Sequence, residues 1–196
     1  MVFNLVFLRE VVRANKSTGA IGPSSQKLAE TITDLAELPG NKVLVEYGPG
    51  TGVFTEEILR KKDTDAFLLS LEVNESFAES TQQRCPEAKV IHDGAQNTLK
   101  YLREMGHEHC DLIISGLPWT RFEEPLQDEI LDATYDVLRP GGRFLTFGYS
   151  FSPLLPAGKR FFKGKLNEKF DQVRRSKTIW KNLPPCSVYI ADKKAD

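Results

Sequence analysis

The sequence predicts an α/β fold, a mostly parallel seven-stranded sheet closed by a terminal antiparallel strand pair. Three observations predict it. Short apolar runs alternate with helical patterns from Lys42 to Tyr149, as expected of a parallel sheet covered on both faces. The first run leads directly into a glycine-rich turn, Glu46-Tyr47-Gly48-Pro49-Gly50-Thr51-Gly52. The chain closes on two strand-like segments around Asn182-Leu183-Pro184-Pro185, which suits an antiparallel pair.

Residues 3–15 read as an amphipathic helix. Phe3, Val6, Phe7, Val11 and Ala14 recur near helical spacing, Leu5, Leu8 and Val12 widen the apolar arc, and Arg9, Arg13 and Lys16 flank it. Such a helix packs over the domain, lies in a membrane interface or caps a substrate site. A loop follows from Gly19 to Ser25. Pro23, Ser24 and Ser25 set up a second helix through about Leu38, ended by Pro39-Gly40. This divides the chain into an N-terminal helical cap, residues 1–38, facing substrate or membrane, and an α/β domain, residues 39–196.

Within that domain the expected strands are Lys42 to Glu46, Ala66 to Glu72, Ala88 to His92, Cys110 to Ser115 and Arg143 to Tyr149. The intervening helices are Val53 to Lys61, Asn74 to Arg84, Thr98 to Met105 and Pro125 to Val137, the last stopped by Arg139-Pro140-Gly141-Gly142. Residues 150–169 form a connection in which Lys159-Arg160-Phe161-Phe162-Lys163 begins a helix. Phe170 to Trp180 and Ser187 to Ala191 supply the closing pair.

Composition narrows the classes. With 196 residues, 40% hydrophobic and 27% charged, the chain suits one soluble globular domain. Cys85, Cys110 and Cys186 are odd in number and far apart, which suits a reducing compartment and gives no metal spacing. His92, His107 and His109 add no zinc motif. No stretch has the length of apolar residues that spans a bilayer, and the start has no signal-peptide pattern. The net charge of −1 hides an asymmetry: residues 39–138 hold nine Lys/Arg against nineteen Asp/Glu, and residues 139–196 hold thirteen against four. A basic segment carrying Phe161, Phe162 and Phe170 is either a solvated face or a surface for anionic nucleic acid or lipid.

Chemistry-bearing residues gather where the strands end. The turn glycines Gly48, Gly50 and Gly52 match neither the dinucleotide fingerprint nor a phosphate loop. They allow close backbone approach and leave helix N–H groups to face a ligand, or they serve only a tight turn. Glu72 ends the second strand, followed by Val73. His92-Asp93-Gly94-Ala95 follows the third, and Ser115-Gly116-Leu117-Pro118-Trp119 follows the fourth. Any one acid alone reads as a helix cap or a solvated group. Their joint placement at strand ends marks a ligand crevice. His92 is expected to point into packing.

These residues resemble class I S-adenosylmethionine-dependent methyltransferases, and the resemblance implies the Rossmann-like form of the predicted fold. Glu46 to Gly52 resembles the first cofactor motif, E-x-G-x-G-x-G. It implies that Gly48, Pro49, Gly50, Thr51 and Gly52 lie along the methionine part and that Glu46 orders its amino group. Glu72, with Val73, would receive the ribose hydroxyls, since two carboxylate oxygens suit a vicinal diol. Asp93, Gly94 and Ala95 would meet the adenine. Ser115, Gly116 and Leu117 would complete the cofactor side.

Ser115 to Trp119 is also similar to the N-L-P-Y motif of adenine N6-methyltransferases, with Gly116 where that motif has Asn. Trp119 would stack on a base, bound a methylammonium group by cation–π attraction, or sit in the core. Phe7-Leu8, Thr18 to Ser25, Leu28-Ala29, Glu46 to Thr55 and Ser115 to Trp119 together resemble bacterial phospholipid N-methyltransferases. That resemblance implies methylation of the amine of phosphatidylethanolamine or a related phospholipid, with RNA adenine or a small-molecule amine as alternatives. It implies S-adenosylmethionine as donor, S-adenosylhomocysteine as product and no metal. Trp119 and Tyr149 become the acceptor-side residues. The N-terminal helix and the basic residues 159–165 (Lys159, Arg160, Lys163 and Lys165) would meet an anionic membrane. The protein would be cytoplasmic and peripheral on the inner membrane face.

Overall fold

The computed structural model describes residues 23–195. The helix expected over 3–15 lies outside the described residues. Helix α1 (Pro23–Ala36) precedes an alternation of β1 (Val43–Tyr47), α2 (Val53–Lys61), β2 (Phe67–Glu72), α3 (Glu75–Arg84), β3 (Lys89–His92), α4 (Thr98–Glu104), β4 (Cys110–Ser115), α5 (Glu124–Val137) and β5 (Leu138–Tyr149). Three contiguous helical pieces, Pro156–Lys159, Arg160–Lys165 and Leu166–Lys169, form α6, and the middle one is wound as a π-helix. Strands β6 (Gln172–Arg175) and β7 (Cys186–Asp192) complete a seven-stranded sheet ordered β3-β2-β1-β4-β5-β7-β6. Only β7 runs antiparallel to its neighbours β5 and β6; all other pairs are parallel. This is the predicted fold, the Rossmann-like class I form.

The central strands are apolar throughout because both faces are covered. On one face Leu44, Leu68, Leu112, Ile114, Leu145, Val188 and Ile190 pack against Leu28, Ile32 and Ala36 of α1 and Ile58 of α2. On the other, Val45, Tyr47, Leu69, Ile113, Phe144 and Ala191 meet Leu102 of α4, Ile130 and Leu131 of α5, and Phe161, Phe162 and Leu166 of α6. Helix α1 is bound to α2 by polar contacts too: Lys61 Nζ donates to the Glu30 carbonyl, Thr33 Oγ1 and Asp34 Oδ1. Local signals set several helix starts. Asn74 Oδ1 accepts from the Phe77 amide at 3.1 Å to cap α3, and Pro125 occupies the first turn of α5.

Three expectations change. Strand β5 begins at Leu138, five residues before the expected Arg143, because Arg139-Pro140-Gly141-Gly142 is a bulge and not a stop. Cys110 pairs with Leu138 and Leu112 with Arg143, so the register slips between them. Gly142 permits the slip: a Cβ there would lie 2.8 Å from the Arg139 carbonyl oxygen and 3.1 Å from that of Asp111. The strand expected over 170–180 shortens to Gln172–Arg175, with an isolated bridge at Ile179. Ser176 ends the regular ladder, since its Oγ accepts from the Val188 amide at 2.9 Å. The connection 150–169 is helical over 156–169, and Phe161 and Phe162 are buried in it.

The basic face of α6 is largely matched internally. Glu124, Asp128 and Asp132 repeat every four residues along α5 and pair with Arg160, Lys165 and Lys169. Of the basic residues expected to meet an anionic surface, only Lys159 and Lys163 remain exposed without an ion-pair partner among the described residues.

Helix α6 begins hard against the turn at Ser152–Leu154. A Cβ at Gly158 would lie 1.8 Å from the Ser152 carbonyl oxygen, so backbone must shift to admit one. We expect Gly158→Ala to cost about 1–3 kcal/mol, the usual range for overpacking, read as a lower urea midpoint at unchanged slope.

Candidate active site

The carboxyl ends of β1 and β4 are pressed together. The Gly116 amide donates to the Tyr47 carbonyl at 2.7 Å. A Cβ at Gly116 would lie 2.7 Å from the Gly48 carbonyl oxygen, and one at Gly48 would meet Leu117 Cδ2 at 3.0 Å. Gly48, Gly50 and Gly52 have φ of +67°, +59° and +85°, a region that L side chains avoid. The turn is then tied down from outside. The Gly52 amide donates to the Pro49 carbonyl, Thr81 Oγ1 donates to the Gly50 carbonyl, and Arg84 Nη1 donates to the Thr51 carbonyl. Gly52 precedes α2 and offers no capping side chain, so the first amides of that helix keep their donors for a ligand.

Three acids stand around this turn in different electrostatic states. Glu46 is fully buried. Its Oε2 accepts from Thr55 Oγ1 and Ser70 Oγ, each at 2.8 Å, while Oε1 has no partner among the described residues. Burial pushes its pKa up to about 7, against the pull of the two hydroxyls. Glu72 accepts from the Gly50 amide at 3.1 Å and the Asn74 amide at 2.9 Å. Burial raises its pKa above the usual carboxylate value, with the Asn74, Gly50 and Val73 amides opposing. Asp93 is less enclosed. Burial works against its ionisation, but Tyr101, the Gly94 amide and Asn97 outweigh it and hold its pKa low. Its Oδ2 accepts from Tyr101 at 2.6 Å, and its Oδ1 accepts from the Gly94 amide at 2.7 Å and Asn97 Nδ2 at 3.0 Å.

The structure therefore brings Glu46, the turn 48–52, Glu72 and Ser115–Leu117 into one arrangement. Asp93 and Val73 sit beside it, because Glu72 is in register with His92. Buried Ala95 follows through the Gly94 turn. His92 departs from expectation: it is exposed, and its Nε2 donates to the Val73 carbonyl at 3.0 Å, because β3 stands at the edge of the sheet formed by the described residues.

Of its three expected readings Trp119 takes the core position, not the open aromatic face. It is 1% exposed and stacks on Phe161 with centroids 4.4 Å apart. Its Nε1 donates to Ser115 Oγ at 3.2 Å. The ring faces the core because α6 closes over it. Tyr149 lies beyond the level of Ser115, since Ser115 pairs with Thr146 and β5 runs on. It is 37% exposed and stacks on Phe151.

Several supporting residues escaped the sequence reading. Thr55 and Ser70 hold Glu46, Tyr101 and Asn97 hold Asp93, and Thr98 bonds the Tyr47 hydroxyl at 3.0 Å. Thr55 and Asn97 lie within ten residues of the acids they serve and were open to a search for partners along the chain. Ser70 reaches Glu46 only through strand register.

A methyltransferase domain model matches residues 45–146, more than half of the chain. The chain belongs to the methyltransferase domain family. This methyltransferase is similar to an ornithine lipid N-methyltransferase from Singulisphaera acidiphila, 26% identical over 94% of this chain and 93% of that protein. It is also similar to ribosomal RNA small subunit methyltransferase A from Thermotoga maritima, 29% identical over 62% of this chain but only 41% of that protein. Among solved structures it resembles the N-methyltransferase NodS from Bradyrhizobium japonicum bound to S-adenosylhomocysteine. That match has a TM-score of 0.67 and 13% identity over 89% of each chain, and it speaks to fold. The methyltransferase is thus a class I S-adenosylmethionine-dependent enzyme related to lipid- and RNA-modifying methyltransferases.

The residues present fit that cofactor. A tight glycine turn admits its methionine part, the unpartnered Glu46 Oε1 is a buried acceptor for an ammonium, and Glu72 has acceptor capacity left for hydroxyls. Among the described residues no group of His, Cys, Asp or Glu could hold a metal ion.

Two outcomes follow from this geometry. Gly116→Ala should weaken S-adenosylhomocysteine binding at least tenfold by calorimetry, because the new Cβ must spread the β1 and β4 turns. Glu46 should give stability a pH signature. The unfolded chain ionises this carboxyl near 4.5, while the folded protein keeps the proton to about 7. Stability therefore falls as pH rises through that window and levels off above it. Urea unfolding across the window should show the parent losing about 3 kcal/mol more than Glu46→Gln.

Proposed function

We propose that this methyltransferase methylates the amine of phosphatidylethanolamine or a related aminolipid. The observation that carries this reading is the crowding at Gly116. An adenine N6-methyltransferase of the N-L-P-Y type has an Asn amide there to clamp the base. Here a Cβ would lie 2.7 Å from the Gly48 carbonyl oxygen, so the clamp has no place. A simple alkyl amine does not require it. Similarity to an ornithine lipid N-methyltransferase over nearly the full length of both chains supports the same reading. The ribosomal RNA relative is covered over less than half its length.

The bound cofactor supplies a methyl group on a sulfonium sulfur, which leaves as a thioether when the amine nitrogen forms its bond to that carbon. The chain's own residues do the positioning. Glu46, Glu72 and the turn 48–52 would fix the donor, and Asp93 with Gly94 and Ala95 would fix its adenine end. Backbone of Ser115 to Leu117 would line the transfer point. Trp119 would serve there as a rigid support, locked by Phe161 and Ser115, and not as an exposed face. Tyr149 would orient the lipid amine or its phosphate through its hydroxyl. The proton released from nitrogen passes to water. Alignment of donor and acceptor is the main contribution asked of the protein. The setting would be the inner face of a cytoplasmic membrane.

The test is transfer of labelled methyl groups to vesicles containing phosphatidylethanolamine or ornithine lipid, run beside ribosomal RNA and soluble amines. We expect mono-, di- or trimethylated lipid as product. An alkyl amine has a reference pKa near 10.4, so the initial rate should rise about tenfold per pH unit below it. Label in RNA alone, or in soluble amines alone, would overturn the assignment.

A further inference from the structure

All six large hydrophobic side chains that stand exposed among the described residues fall in two loops. Tyr149, Phe151, Leu154 and Leu155 belong to the segment that ends β5 and leads into α6. Trp180 and Leu183 belong to the connection between β6 and β7. Leu154, Trp180 and Leu183 each leave about four-fifths of their surface in solvent, at 81%, 78% and 82%.

The two loops meet. Tyr149 pairs with Cys186 at the start of β7, and the Ser150 amide donates to the Pro185 carbonyl at 2.8 Å. Both therefore lie at the carboxyl end of β5, the end of the sheet that also carries the glycine turn and Ser115. Each is braced from within. Ser152 and Pro153, just before Leu154, are buried, and the Leu154 amide donates to the Phe151 carbonyl at 3.0 Å. Buried Asn182 donates from Nδ2 to the Pro184 carbonyl at 2.6 Å. The apolar tips are thus presented on held backbone.

Charge identifies what they meet. No Asp or Glu occurs from Tyr149 to Asn167, nor from Gln172 to Ala191. Lys159, Lys177 and Lys181 are exposed here without an ion-pair partner among the described residues. Arg121, on the neighbouring turn after Trp119, is exposed and unpaired in the same sense and acts electrostatically on Tyr149. Apolar tips flanked by cations, on loops that themselves carry no acid, complement an anionic bilayer, whose interface takes the apolar groups and whose phosphates take the charges.

We propose that the loops 149–155 and 176–185 form a rim that docks this protein on an anionic membrane and sets the transfer point against the headgroup layer. The catalytic consequence rests on the aminolipid reading, but the docking itself does not. Of the expected membrane contact at 159–165 it keeps Lys159 and shifts the rest to the two loops, since Arg160 and Lys165 are already paired.

The test uses the full chain and vesicles of phosphatidylglycerol and phosphatidylethanolamine, without cofactor. Trp180 is the exposed one of two tryptophans, so vesicles should shift its emission to the blue and acyl-brominated lipid should quench it. Trp180→Phe should remove that response. Trp180→Ser with Leu183→Ser should lower vesicle affinity at least tenfold in co-sedimentation. The thermal midpoint and S-adenosylhomocysteine binding should be unchanged, as should transfer to a short-chain aminolipid dispersed below its micellar limit. Leu154→Ser should act in the same direction from the other loop. Loop-dependent vesicle binding without any lipid methylation would support the rim and sink the acceptor assignment. Vesicle binding indifferent to these substitutions would overturn the rim, and so would binding to no vesicle. Self-association abolished by the same changes, in protein that ignores vesicles, would assign the patch to a second copy and overturn it too.

Discussion

The contact between the turn after β1 and the turn after β4 is the constraint on which the rest of the site depends. Strands β1 and β4 are neighbours in the sheet, and the order of strands reverses between them. That reversal opens a crevice at the carboxyl ends. The Gly116 amide closes its floor by bonding the Tyr47 carbonyl, and the absence of a Cβ at 116 lets the two backbones approach. Once this pinch is made, the direction of the turn 48–52 follows. So do the positions of Glu46 below it, Glu72 beside it and Leu117 across from it.

The acids around the pinch are held before any ligand arrives. Glu46 is fixed by two hydroxyls, Glu72 by backbone amides and Asp93 by Tyr101, Asn97 and an amide. Holding polar groups in advance lowers the ordering needed on binding and transfer. Their electrostatic states differ with their surroundings. Burial dominates at Glu46 and Glu72, whereas hydrogen bonding prevails at Asp93. A buried carboxyl that changes charge near neutral pH suits the neighbourhood of a cationic cofactor, since each favours the charged form of the other.

The charge asymmetry along the chain is resolved largely inside the molecule. The acids spaced by four on α5 meet basic residues of α6, Arg139 pairs with Asp111, and Arg143 and Arg174 share Asp192. Exposed pairs of this kind each contribute about 0–1 kcal/mol, so they fix how α6 lies on α5 more than they stabilise the fold. Placing α6 in this way buries Phe161 over Trp119. Among the cations left without an ion-pair partner among the described residues, Arg121, Lys159, Lys177 and Lys181 stand by the loops at the carboxyl end of the sheet, where the exposed apolar side chains also gather.

The order of elements was legible in the chain, because apolar runs and turn residues are local signals. The cofactor-side residues were legible as strand ends, since Glu46, Glu72, Asp93 and Ser115 each follow an apolar run. The bulge at Arg139–Gly142 was not, because Pro and Gly signal a break without saying whether a neighbouring strand will accept it. The early end of β6 at Ser176 depends on a side chain competing with backbone across the sheet. Trp119 shows the same limit: its motif marks it as an acceptor-side aromatic, but only the docking of α6 decides that its ring is buried. The sequence by itself determined the fold class, the glycine turn and the acids at the strand ends, all set by contacts within a few residues. Tertiary structure alone decided which cations remain unpaired, which aromatics face solvent and how little room Gly116 has. Each of those is a property of residues that meet only when distant segments pack together.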